Sequence, residues 1–216
     1  MPSKKELCQN WKLYVITCPA FRGERSQAER VHEAILGGVD AVQLRDKNAS
    51  DEELLCQARD LLAVTRRWGV PLIVNDRVSV AASSGAEGVH LGQSDGTLDG
   101  AKKILGADKI FGRSTHAIEQ GLSAEKEGFD YVGVGPVFDT PTKLGRAPVG
   151  LEYVRHAVDR LSIPFLAIGG IDEKNVALVL EAGAKSVAVV RAVLGHADPR
   201  RCAQNLKKKI DRAMIS

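Results

Sequence analysis

Gln43, Arg45 and Lys47 alternate in the stretch QLRDK, at the end of an apolar run that begins at Ala41. Period-two spacing puts all three on one face of a strand, so an amide and two cations converge. Arginine offers a planar fork and lysine a point charge, and together they suit a mono- or diphosphate. A surface pair between Arg45 and Asp46 is the plainer reading of two of these residues, but three polar donors at period two favour an anion site. Two further runs end in carboxylates, Asn75-Asp76 and His90-Leu91-Gly92-Gln93-Ser94-Asp95. Either aspartate alone reads as a helix N-cap. Two beside a basic phosphate site fit Mg2+, which is usually held by one or two carboxylates plus substrate oxygens. His90 lies inside its run and reads as a core-lining histidine rather than a ligand.

Later runs add donors. Gly112-Arg113-Ser114-Thr115-His116 offers Ser114 as a hydrogen-bond donor to phosphate, Thr115 as a helix cap and His116 as an imidazole that could act on substrate but is as often structural at a helix entry. Gly169-Gly170, before Ile171-Asp172, and the backbone at Val190 and Arg191 offer N–H groups to a second phosphate, with glycine permitting close approach. Two anion sites with an acidic pair near the first describe an enzyme that joins two phosphorylated substrates. A metal-bound pyrophosphate is a good leaving group, because the cation offsets the charge that develops as the bond breaks.

These residues need elements to position them. Eight short β-branched runs span 13–17, 41–45, 71–76, 88–92, 109–115, 131–138, 164–170 and 186–193. Each is nearly continuous in apolar residues, as expected of parallel strands covered on both faces. Amphipathic segments alternate with them. In DEELLCQARDLLAVTRRWG, Leu54, Leu55, Ala58, Leu61, Leu62 and Thr65 recur at helical spacing, and Cys56 reads as a small core residue on the same stripe. Ser26, Asp51 and Asp172 open helices, and Gly38, Gly69, Gly85 and Gly183 close them. GGVDAVQLR, SGAEGVHLG, EGFDYVGVG and EAGAKSVAVV form a weak echo every two strand–helix units.

This order predicts an α/β fold, a single (β/α)8 TIM barrel over residues 1–216 with 1–12 as an N-terminal extension. A doubly wound open sheet is the runner-up. It would need a glycine-rich turn after the first strand, and CPAFRGER contains no GxGxxG. In a barrel the active site forms at the C-terminal ends of the strands, where the candidate residues fall.

The remaining features narrow the class. Of 216 residues, 44% are hydrophobic and 26% charged, an ordinary globular balance. A net charge of +3 gives no reason to expect nucleic acid, and Lys207-Lys208-Lys209 reads as a solvated helix face. No apolar run approaches the roughly 20 residues needed to span a bilayer, so no membrane partner is expected. MPSKKELCQNW has no apolar segment of the signal-peptide kind. Cys8, Cys18, Cys56 and Cys202 form no CxxC, which suits a reducing, cytoplasmic setting. Exposed barrel helices offer faces through which a homodimer could form.

The pieces QLRDK, ND at 75–76, GVHLGQSD, GRSTH, DYVGVGPVFDTPTK, IGGI and VAVVRAV occur in an order and spacing that resemble the thiamine-phosphate synthase (thiamine-phosphate pyrophosphorylase) family. The resemblance covers nearly the whole chain. It implies condensation of hydroxymethylpyrimidine diphosphate with a thiazole phosphate, with or without a 2-carboxylate, to give thiamine phosphate and pyrophosphate. It also implies a dissociative mechanism, in which pyrophosphate leaves before the thiazole nitrogen attacks. Carried over residue by residue, Gln43, Arg45, Lys47, Asn75, Ser114 and Lys143 would hold the pyrimidine diphosphate, and Asp76 and Asp95 would bind Mg2+. Thr140, Thr142, Gly170, Val190 and Arg191 would contact the thiazole phosphate, with Lys143, Ser114 and Arg45 closest to the chemistry. The long loop GPVFDTPTKLGRAPVG (135–150) would then bridge the two substrates, with Gly145 as a hinge. Two positions depart from the family pattern. Arg191 stands where many relatives have serine, and Arg113 where a small apolar residue is expected. A thiazole tautomerase of the same fold should lack the full diphosphate and metal set, and a non-catalytic sensor of phosphorylated metabolites would show no turnover.

Overall fold

A strand apolar on both faces has to be sandwiched, and alternation decides which side chain meets which layer. In the computed structural model, which describes residues 3–21, 25–140 and 147–214, the strands are β1 (Leu13–Ile16), β2 (Ala41–Leu44), β3 (Leu72–Asn75) and β4 (Gly88–Leu91). They continue with β5 (Ile110–Thr115), β6 (Tyr131–Val134), β7 (Phe165–Ile168) and β8 (Val187–Val189). All neighbours pair in parallel, and the sheet closes through β1 and β8, where Val15 lies opposite Val189. With helices between the strands, this is a (β/α)8 TIM barrel.

The alternation creates two cores. Outward residues such as Val15, Leu44, Val74, Leu91, Phe111 and Val134 pack under the helices in one large cluster. Inward residues Tyr14, Ile16, Ala41, Ile73, Ile110, Tyr131, Leu166 and Ala188 make a second, smaller one inside the barrel. Helix α1 (Lys4–Gln9) and the residues after it close the N-terminal end: Cys8 and Trp11 belong to the inner cluster, and the Trp11 ring stands edge-on to Tyr131 at 5.3 Å. Lys4 fastens this plug by donating to the Ala107 and Lys109 carbonyls, both at 2.9 Å. Burial pushes the Cys8 thiol well above its usual range, so the inner cysteine is an inert packing residue.

The outer layer comprises α2 (Gln27–Leu36), α3 (Asp51–Thr65), α4 (Val78–Ser84), α5 (Leu98–Leu105), α6 (Ile118–Glu127), α7 (Gly150–Arg160), α8 (Val176–Glu181), α9 (Arg191–Leu194) and α10 (Pro199–Ala213). Capping boxes Ser26–Glu29 and Ser50–Glu53 start α2 and α3, and such an N-cap is worth about 1 kcal/mol. Asp51 is therefore the first helical residue rather than the cap. Asp172 accepts from the Lys174 and Asn175 amides in the loop before α8.

Several expectations need correction. The run 186–193 leaves the sheet after Val189 and turns helical at Arg191, and the run 131–138 leaves it after Val134. Cys56 is exposed. Two positions from buried Leu54 it lies about 200° around the helix, on the opposite side. Lys207 is not a solvated face: its ammonium meets both Asp40 carboxylate oxygens, at 2.5 and 2.7 Å. Asp40 also accepts the Lys12 and Leu13 amides, so this pair docks α10 onto the start of β1. Among the described residues no helix is long and apolar enough to cross a membrane.

Candidate active site

At the C-terminal mouth, the strand ends form a charged recess and a deep cavity that share Asn75 as a wall. The recess is lined by Asp46, Lys47, Asn75, Asp76, Arg77 and Asp95. Asp76 has a φ of 61°, the only non-glycine residue with positive φ among those described. Such a backbone favours glycine, and a strained carboxylate at a strand end marks a site held for a purpose other than stability. Its amide donates to the His90 carbonyl at 2.9 Å, which locks it against β4. Burial, and after it the adjacent Asp95 carboxylate, holds Asp76 above the usual carboxylate range, while Lys47 and Arg45 pull the other way. Lys47 is the near cation, 3.7 Å away.

Asp95 is aimed by its own loop. Its carboxylate accepts the Gly92 amide at 2.8 Å. Arg113 explains its departure from a small apolar residue here: its guanidinium donates to the Gly96 carbonyl at 2.9 Å and the Gln93 carbonyl at 3.3 Å. It also lies 5.3 Å over the Phe129 ring. Gln93 donates to the Ser114 carbonyl at 2.6 Å. The β4 loop is thus tied to the end of β5 on both sides of Asp95. Neither aspartate is a helix cap; Thr97 caps α5, accepting the Gly100 amide.

Two crowded carboxylates face a single exposed lysine at 3.7 Å, which leaves room for a cation. Among the described residues no three His, Cys, Asp or Glu side chains gather around one point. The protein donor set is therefore two hard carboxylates, which fits Mg2+ completed by water and phosphate oxygens rather than a protein-caged metal.

The cavity, of about 260 Å³, descends between the strands. Its floor is a run of side chains joined by hydrogen bonds. Gln43 donates to the Tyr14 hydroxyl at 3.0 Å, Tyr14 and Tyr131 share a hydrogen bond at 3.1 Å, and Tyr131 meets His90 Nδ1 at 3.0 Å. His90 Nε2 in turn meets the Ser114 hydroxyl at 2.9 Å. Burial raises both phenols far above their usual range, so both remain O–H groups. Gly112 makes this possible: a Cβ there would lie 2.2 Å from the Tyr131 ring and 2.5 Å from His90 Nδ1.

Arg45 also lines the cavity, and its backbone is fixed from β1, where the Thr17 hydroxyl accepts its amide at 2.9 Å. The opposite rim is formed by Gly169, Gly170, Val190, Arg191 and Thr140. Both glycines have positive φ, and side chains there would strike the β6 loop: 2.5 Å from Pro136 Cα at Gly169 and 2.6 Å from the Asp139 carbonyl at Gly170. Their first task is therefore to let the loop after β6 lie against β7. Arg191 is exposed at the start of α9.

Gln43, Arg45, Asn75, Ser114, Thr140, Gly170, Val190 and Arg191 thus meet around one cavity, and Lys47, Asp76 and Asp95 around the adjoining recess. Thr142, Lys143 and the Gly145 hinge lie outside the described residues. Thr115 is not a helix cap; its hydroxyl bonds to the Gly133 carbonyl and to the Tyr153 hydroxyl of the outer layer. His116 lines the cavity, and its Nδ1 meets the Gly135 carbonyl. Tyr14 and Tyr131 were not legible as functional, because an aromatic in an apolar run reads as core. Their parity with Gln43, His90 and Ser114 was the available signal, since a buried phenol needs a partner.

A family model described as thiamine monophosphate synthase matches residues 13–193. The thiamine-phosphate synthase of Halalkalibacterium halodurans is 46% identical over 191 residues, 88% of this chain and 90% of that protein. That of Thermus thermophilus is 46% identical over 201 residues, 92% of this chain and 97% of the other. The solved structure of thiamine phosphate pyrophosphorylase from Pyrococcus furiosus superposes with a TM-score of 0.87 at 38% identity, covering 96% of this chain and 99% of that one.

Proposed function

The chain belongs to the thiamine monophosphate synthase family and is a transferase, and on that premise we propose how its mouth performs the reaction. The substrates in this reading are hydroxymethylpyrimidine diphosphate and a thiazole phosphate, and the products thiamine phosphate and pyrophosphate. The observation that carries it is the shared Asn75 wall: a charged recess for a diphosphate opens directly onto a cavity large enough for a flat ring. The pyrimidine occupies the cavity floor against Gln43, and its diphosphate reaches over Arg45, Asn75 and Lys47 toward Asp76 and Asp95. Mg2+ bound by the two aspartates would offset charge on the departing pyrophosphate. Ser114 donates to a diphosphate oxygen. The thiazole phosphate lies at the opposite rim, held by the Gly170, Val190 and Arg191 backbone and by Thr140; Thr142 is assigned to the same phosphate and Lys143 to the diphosphate.

The chemistry asks for charge stabilisation and alignment rather than a protein nucleophile. Arg45 and Lys47 stabilise the leaving group, and the largely apolar walls of the cavity keep water from the pyrimidine-methyl cation until the thiazole nitrogen attacks. The reading treats residues 1–216 as one catalytic barrel acting in the cytoplasm, with exposed helices available for a homodimer. Purified protein given both substrates and Mg2+ is expected to release pyrophosphate. No release at saturation, with an intact fold by circular dichroism, would falsify the reaction and leave a tautomerase or sensor.

A further inference from the structure

The cavity floor connects residues on five strands, Gln43 (β2), Tyr14 (β1), Tyr131 (β6), His90 (β4) and Ser114 (β5), by four successive hydrogen bonds. We propose that Tyr14, Tyr131 and His90 are positioning residues. They form a chain of one direction that keeps His90 as the neutral tautomer with its proton on Nε2 and makes Ser114 a donor toward the cavity.

The direction follows from counting hydrogens. The Gln43 amide donates to the Tyr14 oxygen. The Tyr14 hydrogen then has the Tyr131 oxygen as its acceptor, at 3.1 Å. Tyr131 spends its own hydrogen on His90 Nδ1, which must be the unprotonated nitrogen, so Nε2 carries the proton and gives it to Ser114. With its oxygen already accepting, the Ser114 hydroxyl presents its hydrogen to whatever acceptor enters the cavity. The opposite direction would leave the Tyr14 hydrogen without an acceptor at a side chain only 1% exposed, which costs about 1–3 kcal/mol. Gly112 points the same way, because any side chain there would separate Tyr131 from His90. The sequence devotes an empty position in β5 to keeping this contact.

The consequence is selective. A serine held as a donor stabilises an anionic oxygen, whereas a freely rotating serine would equally accept. Resting on the reaction proposed above, the acceptor is a diphosphate oxygen, and the gain is largest as charge accumulates on the leaving group. The remote end of the chain, Gln43, contacts the same substrate, so ring binding and leaving-group stabilisation are joined through protein atoms alone.

The test is nitrogen NMR of ligand-free protein labelled at histidine, with His90 assigned by comparison with His90→Asn. The wild-type resonances are expected to show the proton on Nε2; a proton on Nδ1 overturns the proposal. Tyr131→Phe should give mixed tautomers and lower kcat about tenfold, the equivalent of one misplaced hydrogen bond. KM for the thiazole phosphate should stay unchanged. An unaltered tautomer with unaltered kcat also overturns it. If Tyr131→Phe does not fold, Tyr14→Phe gives the same readouts from one link further back. An Nε2 proton in a protein that releases no pyrophosphate supports the chain of hydrogen bonds while removing the assigned reaction.

Discussion

The two compartments of the barrel mouth secure their groups by opposite means. In the recess, charges of both signs crowd together, Asp76 is raised by burial and by Asp95, and its backbone sits at φ 61°. In the adjoining cavity the floor groups are joined to one another by hydrogen bonds, from Gln43 to Ser114. The proposed ligand of the recess is one that supplies the missing charge. The cavity is complete before any ligand arrives. Function and stability should therefore separate in the first and travel together in the second.

Asp76→Gly gives the sharpest contrast. It removes a carboxylate and relieves the backbone, so turnover should fall by about 10²-fold or more while the melting temperature rises. Assayed together, lower activity with lower stability would erase the distinction. Asp95→Ala should likewise depress turnover and flatten the response to Mg2+, a titration that wild-type behaviour would contradict.

Gly112→Ala probes the cavity. Its methyl collides with the Tyr131 ring, 2.2 Å away, and overpacking of this kind costs about 1–3 kcal/mol. Chemical denaturation should show the loss, with activity falling in parallel. A smaller effect is expected of Arg113→Leu, which frees the Gly96 and Gln93 carbonyls and loosens the loop of Asp95. The Mg2+ concentration for half-maximal rate should rise a few-fold, on the order of one hydrogen bond, with the fold unchanged in a melting scan. Cys56→Ser sits outside both compartments, exposed on α3, and should shift stability by no more than about 0.5 kcal/mol.

Periodicity made much of this legible. Alternation at Gln43, Arg45 and Lys47 and carboxylates at consecutive strand ends put the anion and metal candidates at the mouth, where these side chains line the two compartments, because parity and strand direction are local properties. What escaped depended on contacts between distant strands. Thr115 looked like a cap, yet its parity turns it outward from Ser114 onto Tyr153. Arg113 had no account until the carbonyls of the preceding loop stood beside it. The glycine pair at 169–170 read as a ligand cradle, and its immediate role is to admit the neighbouring loop. Cys56 misled because a helical stripe was drawn one residue too wide.

Closure of the sheet sets the order of events at birth. Val15 of β1 is matched to Val189 of β8, so the first strand keeps one edge unsatisfied until the eighth has been made. Contacts of such long separation slow folding and expose a sticky edge to neighbours. A ribosome-bound fragment truncated before β8 should accordingly be the most aggregation-prone form of this protein.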